Sequence, residues 1–232
     1  MSLDSVHAPD RTRRARMHAA LGDPLRLAIV DRLGHADASP GELARGLGLA
    51  TNLLAHHVGV LEAAGVVRRV RSEGDRRRTY VQLCVQDPMA LGVLGAPARL
   101  SAPRVIFVCT HNSARSQLAA AAWQRVSTVP TRSAGTRPAR RVHAGAVQVG
   151  KRHGLALGRA TTADLGQVRR PDDLVVAVCD NAYEELRETA LHWAIPDPVR
   201  SGSEAAFEQA YDEITARVER LADATTAGPR SR

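Results

Sequence analysis

The sequence predicts an α/β protein in two parts: an N-terminal winged helix-turn-helix, and a C-terminal part in which short apolar strands alternate with helices. Three observations carry this expectation. Residues 23–85 run helix, short turn, helix and then hairpin. Residues 86–103 gather Pro88, Pro97 and Pro103 with Gly92 and Gly95, which reads as a seam. From Val105 onward, apolar stretches of strand length are followed by helical ones. The expected boundaries are 11–90 for the winged helix-turn-helix domain, 91–103 for a linker, 104–224 for the second domain and 225–232 for a flexible tail.

The first part is clearly punctuated. Asp23-Pro24 supplies an N-cap and a proline at the first helical position, opening Leu25–Leu33, which Gly34 ends. Ser39-Pro40-Gly41-Glu42 is a capping box that opens a short helix to about Gly46. Gly46 to Gly48 makes a turn, and Thr51 is placed to cap a third helix, Asn52–Ala64. Leu53, Leu54, Val58 and Leu61 recur there at helical spacing. Val66–Val70 and Thr79–Val85 read as two strands around the polar turn Arg71–Arg78. In this order the helix after the turn enters the major groove. Arg76, Arg77 and Arg78 at the hairpin tip are placed to meet phosphates or the adjacent minor groove. Three adjacent arginines alone favour a solvated charged loop in so arginine-rich a chain; their place on a hairpin after a well-capped helix pair points to DNA binding.

Composition narrows the function classes. The chain has 232 residues, 44% apolar and 24% charged, which is ordinary for a globular protein. It has no run of the ~18 apolar residues that a membrane span needs. No apolar core precedes Pro9, so a signal peptide is not expected. Three cysteines far apart in sequence make no disulfide framework, which points to a reducing cytoplasm. The net charge of +8, carried by arginines with Lys151 as the one lysine, permits DNA or a phosphate-like anion as partner. Aromatic residues make up only 3%, too few for the stacking platforms of a single-strand nucleic-acid binder.

The chemistry concentrates at Cys109. Val105-Ile-Phe-Val-Cys109 reads as a strand, Thr110-His-Asn-Ser-Ala as an anion-sized loop, and Gln117–Val126 as a helix. A bare Cys-x5-Arg is weak evidence in so arginine-rich a chain; its strand–loop–helix context makes it strong. A helix N-terminus with free backbone N–H groups favours an anion, and the same field favours the thiolate of Cys109. Arg115 can fork onto two oxygens of a tetrahedral oxyanion. Ser116 can donate to the thiolate, and Asn112 tolerates a left-handed backbone. The expected oxyanion cradle is therefore Thr110, His111, Asn112, Ser113, Ala114, Arg115 and Ser116. Asp197, between Pro196 and Pro198, can protonate a leaving oxygen, although an Asp between prolines is also a common turn.

Two family resemblances cover most of the chain. Leu21-Gly-Asp-Pro-Leu-Arg-Leu-Ala-Ile-Val and Ala55-His-His-Val-Gly-Val-Leu-Glu-Ala-Ala-Gly-Val-Val resemble the ArsR/SmtB repressors over about residues 13–85. The resemblance implies a homodimer on a double-stranded DNA operator, with Thr51, Asn52, Ala55 and His56 facing bases. The implied dimer surface is the helix around Arg13–Leu21, with Met89–Leu94. Arsenic-sensing members carry a cysteine pair where this chain has Glu42-Leu-Ala-Arg45, and no metal site is expected. His56 and His57 are adjacent on one helix and point apart, with His57 turned toward the core. Cys84 reads as a small buried hydrophobe in a wing strand.

Residues 104–222 resemble the low-molecular-weight protein tyrosine phosphatase superfamily, which includes the thiol-coupled arsenate reductases. The matching pieces are Val108-Cys-Thr-His-Asn-Ser-Ala-Arg-Ser-Gln117, Ser133-Ala-Gly-Thr136 and His192-Trp-Ala-Ile-Pro-Asp-Pro198. The implied fold is a four-stranded parallel sheet with helices on both faces. Its strands are expected near Arg104–Cys109, Thr131–Ala134, Leu174–Cys179 and Leu191–Ile195. The implied catalytic residues are Cys109, Arg115 and Asp197, with Cys179 as a resolving thiol or a buried strand residue. His192-Trp193 and Cys179 resemble the reductase branch. The further cysteine of a three-thiol relay is missing from Asn181-Ala-Tyr-Glu-Glu-Leu-Arg-Glu. No tightly bound cofactor is implied. The expected reductant is external: mycothiol, glutathione or a thioredoxin system, delivered by a redoxin or a small-molecule thiol. The reading that results is an arsenic-responsive DNA-binding regulator fused to an arsenate reductase. Its alternatives are a regulator that senses an oxyanion without turnover, and a tyrosine phosphatase.

Overall fold

The computed structural model describes residues 3–84, 99–186 and 190–229. The chain divides into two compact units. The first is Met1–Arg71 with Arg78–Pro97; the second is Ser72–Arg77 with Ala98–Arg232. The expected helical turn at Met89–Leu94, residues 91–98 of the expected linker and residues 230–232 of the expected tail lie outside the described residues.

In the first unit, α1 (Leu3–Leu21) precedes α2 (Pro24–Leu33), α3 (Pro40–Leu47), α4 (Thr51–Ala63) and the strands β1 (Val67–Arg71) and β2 (Thr79–Leu83). The local signals act as their chemistry dictates. The Asp23 carboxylate accepts from the Leu25 and Arg26 amides at 2.9 and 3.0 Å, closing the start of α2. Ser39 and Glu42 form the reciprocal capping box at α3, with Glu42 accepting from the Ser39 amide at 2.6 Å. Gly48 ends α3 at φ +64°, a conformation that suits glycine. The expected Thr51 cap is corrected: Ala50 holds the N-cap position without a side-chain bond, and Thr51 is already helical.

β1 and β2 pair antiparallel, with Val67 opposite Leu83 and Arg71 opposite Thr79. Met17, Ile29, Leu43, Leu54, Leu61 and Val81 are buried together as the core of this unit. His57 faces inward and is buried, as its place on α4 implied. Cys84 follows β2 rather than lying within it. It is half-buried against this core, a partial correction of the buried wing-strand expectation.

The second unit is built on a parallel sheet. Its strands are β4 (Val105–Cys109), β5 (Thr131–Gly135), β6 (Leu174–Ala177) and β7 (Leu191–His192), in the order β5-β4-β6-β7. α5 (Arg115–Val126), α6 (Ala144–Arg152), α7 (Leu165–Val168), α8 (Asp180–Leu186), α9 (Pro198–Ser201) and α10 (Glu204–Ala224) lie between or after these strands. All five residues of β4 are buried, the pattern of a central parallel strand covered on both faces. Phe107 on β4 packs against Trp123 and Trp193, with ring centroids 5.8 and 5.7 Å apart. Trp123 also donates to the Val129 carbonyl at 2.8 Å, so its one polar atom is satisfied in the core.

A further pair was expected as linker and tail. β3 (Leu100–Ala102) and β8 (Thr225–Ala227) run parallel, with Leu100 opposite Thr225. Thr225 is buried, so the expected flexible tail begins instead with a paired strand. Three residues on each side carry too little apolar periodicity to announce a strand locally. Their partner lies more than a hundred residues away.

Candidate active site

Strand β4 delivers Cys109 to the carboxyl edge of the sheet, where open α/β folds bind ligands. The chain then turns through 110–114 and enters α5 at Arg115. The N-cap position is Ala114, which has no side chain to cap the helix. The first-turn amides of α5 thus present a dipole end suited to an anion.

Asn112 organises this loop. It takes φ +49°, the left-handed region. Its side-chain Nδ2 donates to Ser116 Oγ at 2.8 Å, and its Oδ1 accepts from the Ala163 amide at 2.8 Å and Gln117 Nε2 at 3.1 Å. Gln117 Nε2 also reaches the Thr161 carbonyl at 2.9 Å. Ser116 Oγ lies 3.0 Å from Cys109 Sγ, and the Asn112 amide donates to the same sulfur at 3.2 Å. Since Asn112 Nδ2 already donates to Ser116 Oγ, the serine proton is free to point at sulfur. Two donors are thus aimed at Cys109 Sγ.

The outer side of the loop is tied down by residues 136–143. The carbonyls of Cys109, Thr110, His111 and Ser113 accept from the amides of Thr136, Arg137, Ala139 and His143 at 2.8–3.2 Å. Gly135 makes this approach possible. A Cβ there would sit 2.8 Å from the Thr110 carbonyl oxygen and 3.0 Å from the Asn112 amide. The Ser133–Thr136 segment that carried part of the family resemblance thus has a physical role, which is to let the loop backbone come close.

Arg115 is buried and its guanidinium is held from several sides. Nη1 donates to the Ile195 carbonyl at 2.9 Å, and Nη2 lies 3.3 Å from Asp197 Oδ2. Burial works against the Arg115 cation, but Cys179, Cys109, Asp197 and Glu73 around it raise its pKa and keep it charged. Asp197 also caps α9 through the Val199 amide at 3.2 Å, which fixes its carboxylate beside Arg115. Cys179 follows β6 and is buried; its Sγ lies 3.6 Å from Thr110 Oγ1. Burial pushes the Cys179 thiol up, against the pull of Arg115.

The structure therefore gathers Cys109, Thr110, Asn112, Arg115, Ser116, Cys179 and Asp197 into one neighbourhood. His111 is exposed and Ser113 half-exposed, and both contribute loop carbonyls to the bonds just described. Among the expected DNA contacts, Thr51, Asn52, Ala55 and His56 all lie exposed on α4. Arg76, Arg77 and Arg78 are exposed too, and Arg77 forks onto Asp75 with bonds of 3.0 and 3.1 Å. Arg76 and Arg77 fall within the second unit, Arg78 within the first.

Sequence reasoning missed Glu73. Its Oε2 accepts from the Asp197 amide at 3.0 Å and lies 3.5 Å from Arg115 Nη1, while Oε1 lies 3.7 Å from Arg200. It also missed Asp180, which accepts from the Glu73 amide at 2.7 Å and bonds buried His192 at 2.9 Å. His192 stacks on Tyr183 at 4.2 Å. Nothing in the local sequence links residue 73 to residues 115, 180 and 197.

Both parts of the chain match known families. A model of the low molecular weight phosphotyrosine protein phosphatase family matches residues 104–228, and a helix-turn-helix domain model matches residues 21–70. An arsenate reductase of Brevibacillus brevis is 30% identical over 128 residues, covering 51% of this chain and 93% of that relative. The crystal structure of arsenate reductase from Archaeoglobus fulgidus is 27% identical, with a TM-score of 0.44, over 51% of this chain and 98% of that one. The tyrosine phosphatase Wzb from Escherichia coli K30, in complex with sulphate, is 22% identical with a TM-score of 0.47, over 52% of this chain and 96% of that one. Behind a helix-turn-helix domain, with the sheet, the cysteine loop and the Asp197 loop all inside the matched span, the chain belongs to the low molecular weight phosphotyrosine protein phosphatase family.

Proposed function

We propose that this protein is an arsenic-responsive DNA-binding regulator whose second unit reduces arsenate. The observation that carries the reading is Cys109 Sγ, held by Ser116 and the Asn112 amide beside Arg115 and Asp197, with a second buried thiol, Cys179, next to Thr110. Arsenate is a tetrahedral oxyanion of the kind that a guanidinium fork and helix N-terminal amides bind.

The Cys109 thiolate attacks arsenic and forms an S–As bond. One arsenate hydroxyl leaves as water, with its proton supplied by Asp197. A second thiol then attacks Cys109 Sγ. The S–S bond forms as the S–As bond breaks, the electron pair stays on arsenic, and arsenite departs. Arsenic is reduced by two electrons and the sulfur pair is oxidised by two. An external thiol system, either mycothiol, glutathione or thioredoxin, reduces the disulfide. Cys179 is the nearest internal candidate for the second thiol, and an external small-molecule thiol is the alternative. In this reading the helix-turn-helix unit binds a DNA operator as a homodimer in the cytoplasm, with α4 reading bases.

The test is arsenite formation by the purified protein with thioredoxin, glutaredoxin/glutathione and mycoredoxin/mycothiol supplied in parallel. Turnover with one system, abolished by Cys109→Ser, is the expected result. Cys179→Ser then separates the routes, because it stops turnover only if Cys179 is the resolving thiol. Hydrolysis of an aryl phosphate without arsenite formation would replace the reading by a phosphatase. Operator binding that responds to arsenate without turnover would replace it by a sensor.

A further inference from the structure

The segment Ser72–Arg77 is held in the second unit by an unusually complete set of bonds. Ser72 Oγ and the Asp75 amide donate to Glu184 at 2.7 and 2.9 Å, the Glu73 amide donates to Asp180 at 2.7 Å, and the Gly74 amide donates to Ser72 Oγ at 2.9 Å. Gly74 allows the close approach, since a Cβ there would sit 2.6 Å from Glu184 Oε2. The acceptors Asp180 and Glu184 lie on α8, immediately after Cys179. What this anchoring presents is a carboxylate: Glu73 is directed at Arg115 Nη1 and the Asp197 amide.

We propose that Glu73 is an internal stand-in for the substrate oxyanion at Arg115, and that oxyanion binding releases the segment 72–77. The inference rests on the reading of the cysteine loop as an oxyanion site. Arg115 is the guanidinium expected to fork onto the oxyanion, and Glu73 is a carboxylate already within ion-pair range of it. Asp197, the proposed proton donor, gives its amide to the same carboxylate oxygen. A dianion arriving at Cys109 brings further negative charge next to Glu73 and Asp197. Charge repulsion in a partly buried site disfavours the Glu73 carboxylate and the oxyanion together at Arg115. Among the described residues the Glu73 carboxylate is held by Arg115, Arg200 and the Asp197 amide, and in this proposal it is the group that leaves. Burial also pushes the Glu73 carboxyl up, so its charged form is held there at a cost.

Release has a consequence along the chain. Residues 72–77 are the covalent connection between Arg71, which ends β1, and Arg78, which precedes β2. They include Arg76 and Arg77, two of the arginines proposed to meet DNA phosphate. The same six residues thus serve either as internal ligand of the oxyanion site or as a free hairpin tip.

The experiment is calorimetric titration of the full-length protein with inorganic arsenate, on a Cys109→Ser background that blocks chemistry. Glu73→Gln retains shape and an acceptor for the Asp197 amide but removes the competing charge. It should tighten arsenate binding roughly tenfold, the factor for a seat that is open about one-tenth of the time. Hydrogen exchange of the unsubstituted chain supplies an independent reading. The Glu73 and Asp75 amides should be protected without ligand and exchange faster at saturating arsenate. Arsenate binding with unchanged affinity in Glu73→Gln, or unchanged protection at residues 73 and 75, overturns this proposal and leaves the oxyanion site intact. Absence of arsenate binding in both proteins overturns the oxyanion site and this proposal together.

Discussion

Helices α4 and α5 both follow tight turns and both are proposed to meet an anion, yet they are built in opposite ways. The residues proposed to read DNA, Thr51, Asn52, Ala55 and His56, are all exposed. The residues that open α5, Arg115, Ser116 and Gln117, are all buried and bonded to the loop or its surroundings. Reading a base edge needs side chains that a duplex can reach, and their geometry is completed by the partner. Stabilising a reacting oxyanion needs donors already fixed in a water-poor site, so that no reorganisation is left for the moment of reaction. The burial of the two helix starts follows the difference that their proposed roles would require.

Three substitutions sharpen or break this contrast. The largest effect should come from Asp197→Asn, which keeps the α9 cap but removes the transferable proton. Turnover of arsenate should fall by about 10²–10⁴-fold while operator affinity stays the same, as read by steady-state arsenite release and by a gel-shift titration. A change in operator affinity of similar size would show that the two sites are not separable in this way. Next, Asn52→Ala on α4 should leave turnover unchanged and relax base discrimination at one operator position by about 1–3 kcal/mol, measured against a panel of single-base operator variants. Uniform weakening across the panel would reassign Asn52 to backbone contact. The smallest effect is expected from Ser39→Ala, which removes one half of the α3 capping box. It should cost about 1 kcal/mol in the first unit alone. Both tryptophans lie in the second unit, so their fluorescence should unfold unchanged while exchange of the α3 amides accelerates.

Local chemistry was the most legible part of the sequence. The Asp23 and Ser39 caps, the turn at Gly48 and the strand before Cys109 each depend on neighbours within a few residues. Thr51 shows the limit of such reading. A threonine next to a helix start looks like a cap, but the backbone of Ala50 takes that position and the hydroxyl is left outside. At the candidate site, Cys109 and Arg115 stood out by residue type in a strand–loop–helix context, whereas Asp197, equally a turn residue between prolines, was singled out by the family resemblance. Glu73, Asp180 and Gln117 were not legible. A carboxylate in a polar turn has no local mark that it will meet an arginine forty-two residues further on. The β3–β8 pair was hidden for the same reason, since a parallel pairing of three residues per strand is set entirely by where the fold brings its ends.

That pair also bears on how such a chain could have been assembled. Leu100 and Thr225 lie side by side, so the stretch between them leaves and returns at one place. A unit whose two ends meet can be joined to another reading frame on either flank without threading new chain through its sheet. Recombination upstream of residue 100 therefore leaves the strand order β5-β4-β6-β7 untouched.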